Sequence, residues 1–129
     1  MIELLMVVVI IGVLAAVGVP SLSKSRDAAE KGAIIGVLRT LHNDQTTYLA
    51  QKGRYARLNE LNAFFQNAFG TTSGTRINRR NYMFLMSPAS PSLTSLRTRY
   101  SVIAYRNSRG VFIPTFSITE NGKIETIVP

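Results

Sequence analysis

The sequence predicts an α+β protein: one N-terminal α-helix of about fifty residues, with a small C-terminal antiparallel sheet packed on its second half. Three observations lead there. Leu4 to Val19 holds no charge and no hydrogen-bonding side chain, and Met1 and Ile2 extend the apolar run. From Ser21 to Gln51 apolar residues recur at helical spacing, with no loop signal between the two stretches. Beyond Tyr82, runs rich in β-branched and aromatic residues alternate with turn signals.

An apolar run of about sixteen residues sits near the lower limit for spanning a bilayer. Glu3 is expected at its membrane-buried end, where an unpaired carboxylate costs several kcal/mol. The natural partner is an N-terminal amine, reached with less strain on a neighbouring subunit than on the same chain. The segment therefore reads as a membrane anchor built to become a subunit contact. It lacks the basic n-region and Ala-x-Ala-like site of a cleaved signal peptide, so a permanent anchor is expected. Gly12, Gly18 and Pro20 interrupt the helix; interior Gly costs roughly 1 kcal/mol against Ala, and Pro about 3. Pro20 also leaves the carbonyl of Ala16 without its donor. The outcome is either a Pro kink or a loosened stretch covered by neighbours.

The second half of the helix is amphipathic. Ile34, Val37, Leu38, Leu41, Tyr48 and Leu49 form the stripe, with Gln45 its one polar member. Lys24, Arg26, Asp27, Glu30, Lys31, Arg39, Asn43 and Asp44 take the other faces, Asp27 and Lys31 being spaced for an ion pair. Ala28, Ala29, Gly32 and Ala33 make a small-residue patch, and Gly53 is a natural stop. Half of so long a helix is expected to project beyond the head, toward membrane or other helices. The domain reading is an anchor and filament core over 1–23 and a head over 24–129. The head divides into the amphipathic helix half (24–52), a short helix and loop (53–80) and a strand meander (81–129).

Within the head, Leu58 to Phe69 predicts a short helix burying Leu58, Leu61, Phe64, Phe65 and Phe69. Gly70 to Arg80 reads as a polar, basic loop. Strands are predicted at Tyr82 to Met86, Arg99 to Tyr105, Val111 to Ile118 and Lys123 to Val128. Between them lie the Pro/Ser stretch Ser87 to Thr94, a turn at Asn107-Ser108-Arg109-Gly110, and Asn121-Gly122, a two-residue hairpin signal.

Cysteine is absent, which excludes a disulfide framework and thiolate metal sites. Net charge is +8, favouring anionic partners. Arg76, Arg79, Arg80, Arg97, Arg99, Arg106 and Arg109, with Tyr82, Tyr100 and Tyr105 nearby in sequence, can be read as a stripe contacting DNA or another anionic surface. The alternatives are a solvated surface, or charge pairing between subunits through Asp27, Glu30 and Glu60. His42 is expected to be solvated on the helix surface, and the acidic residues show no paired or calcium-loop spacing. Neither catalysis nor a cofactor is expected.

The segment Ile2 to Pro20 (IELLMVVVIIGVLAAVGVP) resembles the N-terminus of type IV pilins and of the related pseudopilins of type II secretion. The match covers the Ile-Glu-Leu-Leu opening, Gly12, Leu14-Ala15-Ala16 and Pro20. Tyr48 to Leu61 (YLAQKGRYARLNEL) is similar to the place where the family ends its long helix, although Ala56 stands where many members have Pro. The resemblance implies a homo-oligomeric filament subunit, cleaved by a prepilin peptidase, methylated at its new terminus, and held in the inner membrane until the pilus assembly machinery draws it into a helical fibre. It implies that Glu3 neutralises the terminal amine of a neighbouring subunit, and that Gly12 to Pro20, with Gly18 inside, is the stretch that unwinds on assembly. Family chains begin slightly before Met1, so the sequence is expected to be clipped at its start and Met1 not to be the methylated residue.

Three functions are open at this stage. The first is the major subunit of an extracellular type IV pilus for adhesion, motility or DNA uptake. The second is a type II secretion pseudopilin, whose major forms commonly carry an acidic C-terminal calcium loop; here only Glu120 and Glu125 lie in that region. The third is a membrane-tethered basic binding module that never polymerises.

Overall fold

The fold is taken from a computed structural model in which residues 1–127 are described. It is α+β: a single helix, α1 (Ile2–Lys52), then α2 (Leu58–Phe64), then six antiparallel strands. The strands are β1 (Thr71–Ser73), β2 (Arg76–Arg79), β3 (Tyr82–Met86), β4 (Ser101–Ser108), β5 (Val111–Thr119) and β6 (Ile124–Thr126), with a short 3₁₀ turn at Ser95–Arg97. Their spatial order follows the chain, β1-β2-β3-β4-β5-β6. Two compact units are distinguished, Met1–Ala33 and the remainder from Ile34 onward.

In the second unit the helix stripe falls as its spacing predicts. Ile34, Leu38, Leu41, Gln45 and Tyr48 are buried, and Val37 and Leu49 partly so. The helix ends at Gly53, whose φ of +75° few other residues accept and whose N–H bonds Leu49 O at 2.8 Å. Against the stripe lie two transverse rows of the sheet. Ile77, Phe84, Ala104 and Phe116 are partnered across four strands, and Met86, Val102 and Ile118 across three. Leu58, Leu61 and Phe69 close the core beside α2.

Two buried amides stitch loops to this core. Gln45 donates from Nε2 to Ala56 O (2.9 Å) and accepts from Ala56 N–H (2.8 Å), imitating a strand pairing with the chain just beyond the helix. Asn62 donates to Gly70 O and Thr72 Oγ1 and accepts from Phe69 N–H, so it holds the chain entering β1. Gly70 there has a φ of +137°, and a Cβ would collide with the carbonyl of Asn78.

Several expectations are corrected. The basic loop Gly70 to Arg80 is instead the hairpin β1–β2, closed by Gly74-Thr75, with Gly74 at the positive φ (62°) a type II′ turn needs. Helix α2 stops at Phe64 because Gln66 and Asn67 take left-handed conformations, and Phe64 stays 40% exposed. Asn121-Gly122 does not form a two-residue hairpin. Only Gly122 has positive φ, the pairing resumes at Ile118↔Ile124, and Asn121 Oδ1 accepts from Thr119 Oγ1 and Lys123 N–H. Of the predicted strand Lys123 to Val128, Ile124–Thr126 is strand and Val128 lies outside the described residues. Asp27 and Lys31 are unbridged, the ion pair among the described residues being Arg54–Glu60 at 2.7 Å. His42 is half-buried rather than solvated: Nδ1 lies 2.7 Å from Tyr100 Oη, whose burial pushes the phenol pKa up.

The Arg54–Glu60 pair anchors the chain after the helix. The Arg54 guanidinium also donates to Tyr55 O and sits 5.6 Å from the Tyr48 ring centre, while Glu60 accepts from Arg57 N–H. The Arg54 hydrogen bond lowers the Glu60 pKa against a smaller opposing effect of burial. A depressed carboxylate stabilises the fold above its unfolded pKa and loses that contribution as pH falls through the folded value. The fold is therefore expected to weaken between about pH 5 and pH 3, and Glu60→Gln to flatten that part of the pH–stability curve. The partial exposure of the pair limits the effect to about 1 kcal/mol. Urea midpoints measured against pH for both proteins check this, and identical acid limbs would refute it.

Candidate assembly surface

From Met1 to Ala33 no residue is buried. Leu14, Val17 and Leu22 are each about two-thirds exposed, in company with Leu4, Leu5, Met6 and the valines and isoleucines between them. This stretch is long and apolar enough to cross a membrane. Contiguous apolar surface of this extent is rare on a monomer facing water and marks a membrane or subunit contact.

Glu3 lies in the first turn of α1 and is exposed. A Cβ added at Gly12 or Gly18 would meet nothing within 4 Å. Neither glycine is therefore required by packing within the chain, though each costs the helix roughly 1 kcal/mol relative to Ala. The same small surface permits close approach of another helix. Pro20 lies inside α1, which is continuous through it.

The seven basic candidates are divided among three places. The register Arg79↔Tyr82↔Arg106 and the turns at Arg80 and Arg109 put Arg79, Arg80, Arg106 and Arg109 at one end of the sheet. An Asn107 N–H to Asn81 O bond of 2.6 Å ties these two turns together. Arg97 and Arg99 lie toward the opposite end, just before β4 begins at Ser101. There Arg99 lines a groove of about 680 Å³ with Met86, Pro88, Tyr100 and Glu120. Arg76 is on the far face of β2, its Nη1 3.6 Å from Met83 Sδ. Tyr82 and Tyr100 are buried, leaving Tyr105 as the half-exposed ring of the three. Arg79 donates to Ala68 O and Phe69 O, which gives it a structural task as well.

Sequence reasoning missed Gln45 as a loop clamp and Asn62 altogether. The signal for Gln45 was available, since an amide inside an apolar stripe must find partners. Among the described residues no group of three His, Cys, Asp or Glu side chains is placed to hold a metal ion. No protein-family model, curated protein or solved structure matches this chain, so the likeness of Ile2 to Pro20 to pilins rests on those residues alone.

Proposed function

We propose that this chain is a structural filament subunit, the major pilin of a type IV pilus. Its N-terminal helix lodges in the inner membrane and then passes into the core of an extracellular fibre. The observation that carries the reading is the run from Met1 to Val19, an unburied and otherwise apolar stretch of helix with one carboxylate, Glu3, near its N-terminal end. Lipid and a bundle of like helices both satisfy such a surface, so moving from one to the other changes hydrophobic energy little. What the bundle adds is close packing at Gly12 and Gly18 and a partner amine for Glu3. The loss of the Ala16 hydrogen bond at Pro20 marks the place where the helix opens most easily. The sheet end bearing Arg79, Arg80, Arg106 and Arg109 is the part of the head that suits an anionic partner.

The test is negative-stain imaging of material sheared from cells that make the protein. Long thin fibres containing this chain are expected. Membrane-bound protein without fibres would overturn the reading in favour of a tethered monomer.

A further inference from the structure

We propose that the outer face of the sheet is a self-association surface, on which a second copy of this chain docks face to face about a two-fold axis running along β4. This contact uses only the head and stands apart from the filament reading.

Side chains paired directly across an antiparallel ladder share a face, and the next pair lies on the other. The register therefore places Arg76, Leu85, Ile103, Ser117 and Glu125 in one transverse row over β2 to β6. A second row on the same face holds Asn78, Met83 and Tyr105, with Pro114 paired to Tyr105 across an irregularity that shifts the β4–β5 register after Ala104. Met83 is buried at 7% yet stands apart from the core cluster, whose sheet rows occupy the other face. Leu85, Ile103, Tyr105 and Pro114 are half-buried. A solvated sheet face ordinarily alternates to polar residues; here the middle is apolar and the charges stand at the two ends.

That charge order selects the occupant. From β2 to β6 the row carries Arg76 at one end and Glu125 at the other, both exposed, with Ser73 of β1 lying outside Arg76, and no other charge stands in either row. Among the described residues the ion pair is Arg54–Glu60, so neither Arg76 nor Glu125 is committed to one. Ile103 on β4 is the middle of the five positions from Arg76 to Glu125. Rotation by half a turn about an axis along β4 lays Ile103 over Ile103, Leu85 over Ser117, and Arg76 over the second copy's Glu125, twice. The charged ends are about 19 Å apart within one sheet, at about 4.8 Å per strand step. Stacked sheets approach to about 10 Å, within reach of an Arg and a Glu side chain extended toward each other. A partner of uniform charge would satisfy only one end. Two rows bury a few hundred Å² per copy, a size typical of weak contacts, and side-by-side display on a membrane or polymer would strengthen it.

The chain has no cysteine, so single-cysteine variants report cleanly. Full-length Ile103→Cys protein in detergent, treated with a short bis-maleimide, is expected to give a covalent dimer. Adding Arg76→Glu should reduce the yield about fivefold, and adding Glu125→Arg to that variant should restore it. The pair Leu85→Cys with Ser117→Cys gives a second cross-link across the same axis, should the Ile103→Cys substitution disturb packing. Absence of dimer from both designs, a yield indifferent to Arg76→Glu, or equal trapping through exposed Thr98→Cys would overturn the proposal. Fibres seen or not seen on cells decide the filament reading and leave this result untouched.

Discussion

Glu3→Gln is expected to leave the protein in the membrane and to remove most sheared fibre, about tenfold or more. The substitution keeps the size of the side chain and its hydrogen-bonding ends while discarding the charge. Insertion should improve slightly, because a neutral amide near lipid costs less than a carboxylate. Assembly should fail because a neighbouring terminal amine then enters an apolar core without its counter-ion. Breaking one side of a buried pair typically costs about 3–5 kcal/mol, and about 1.4 kcal/mol already corresponds to tenfold in an equilibrium. The measurement is the ratio of sheared to membrane-bound protein, by quantitative immunoblot of wild type and variant. A ratio equal to wild type would show that charge neutralisation at residue 3 does not drive the polymer. Loss of the protein from the membrane as well would point to failed insertion, which removal of a charge near lipid does not explain.

Gln45→Ala is expected to destabilise the head by about 2–5 kcal/mol. Gln45 and Ala56 are fully buried and exchange two hydrogen bonds, at 2.9 and 2.8 Å. Truncation strands the N–H and C=O of Ala56 away from water, at about 1–3 kcal/mol for each group. Against the roughly 5–15 kcal/mol of a typical domain this is a large fraction. The chain has five tyrosines and no tryptophan, so near-ultraviolet tyrosine circular dichroism in urea is a suitable readout for the full-length protein in detergent. The midpoint should fall with the slope unchanged. A loss under about 0.5 kcal/mol, the range of ordinary surface substitutions, would mean that water replaces the amide without cost and that the clamp is dispensable.

Elements with strong periodicity were legible in the sequence. The stripe from Ile34 to Tyr48 is buried at the positions its spacing marks, and β3 has the predicted bounds because Tyr82 to Met86 is hydrophobic throughout. The hairpin β1–β2 was hidden for a physical reason. Its one buried residue is Ile77, so polar side chains on an edge of the sheet leave no alternation to read. What specifies it is distant: Asn62 grips the chain at Gly70 and Thr72, and Phe84 lies beside Ile77. The end of α2 was misplaced because Phe64, Phe65 and Phe69 continue a helical spacing across the left-handed Gln66 and Asn67. At the candidate assembly surface, the residue types of Glu3, Gly12, Gly18 and Pro20 could be read directly. The division of the arginines could not, since adjacency in sequence does not disclose which turns meet at one end of a sheet.

The meander also has a consequence for crowding. Its terminal strands, β1 and β6, are three residues each, and every longer strand is flanked on both sides. Strands this short offer a visitor few free backbone groups, which discourages amyloid-like joining of head to head. A protein displayed at the density of a fibre or a membrane patch can therefore keep its folded parts from fusing into cross-β aggregates, leaving side-chain contacts to govern association.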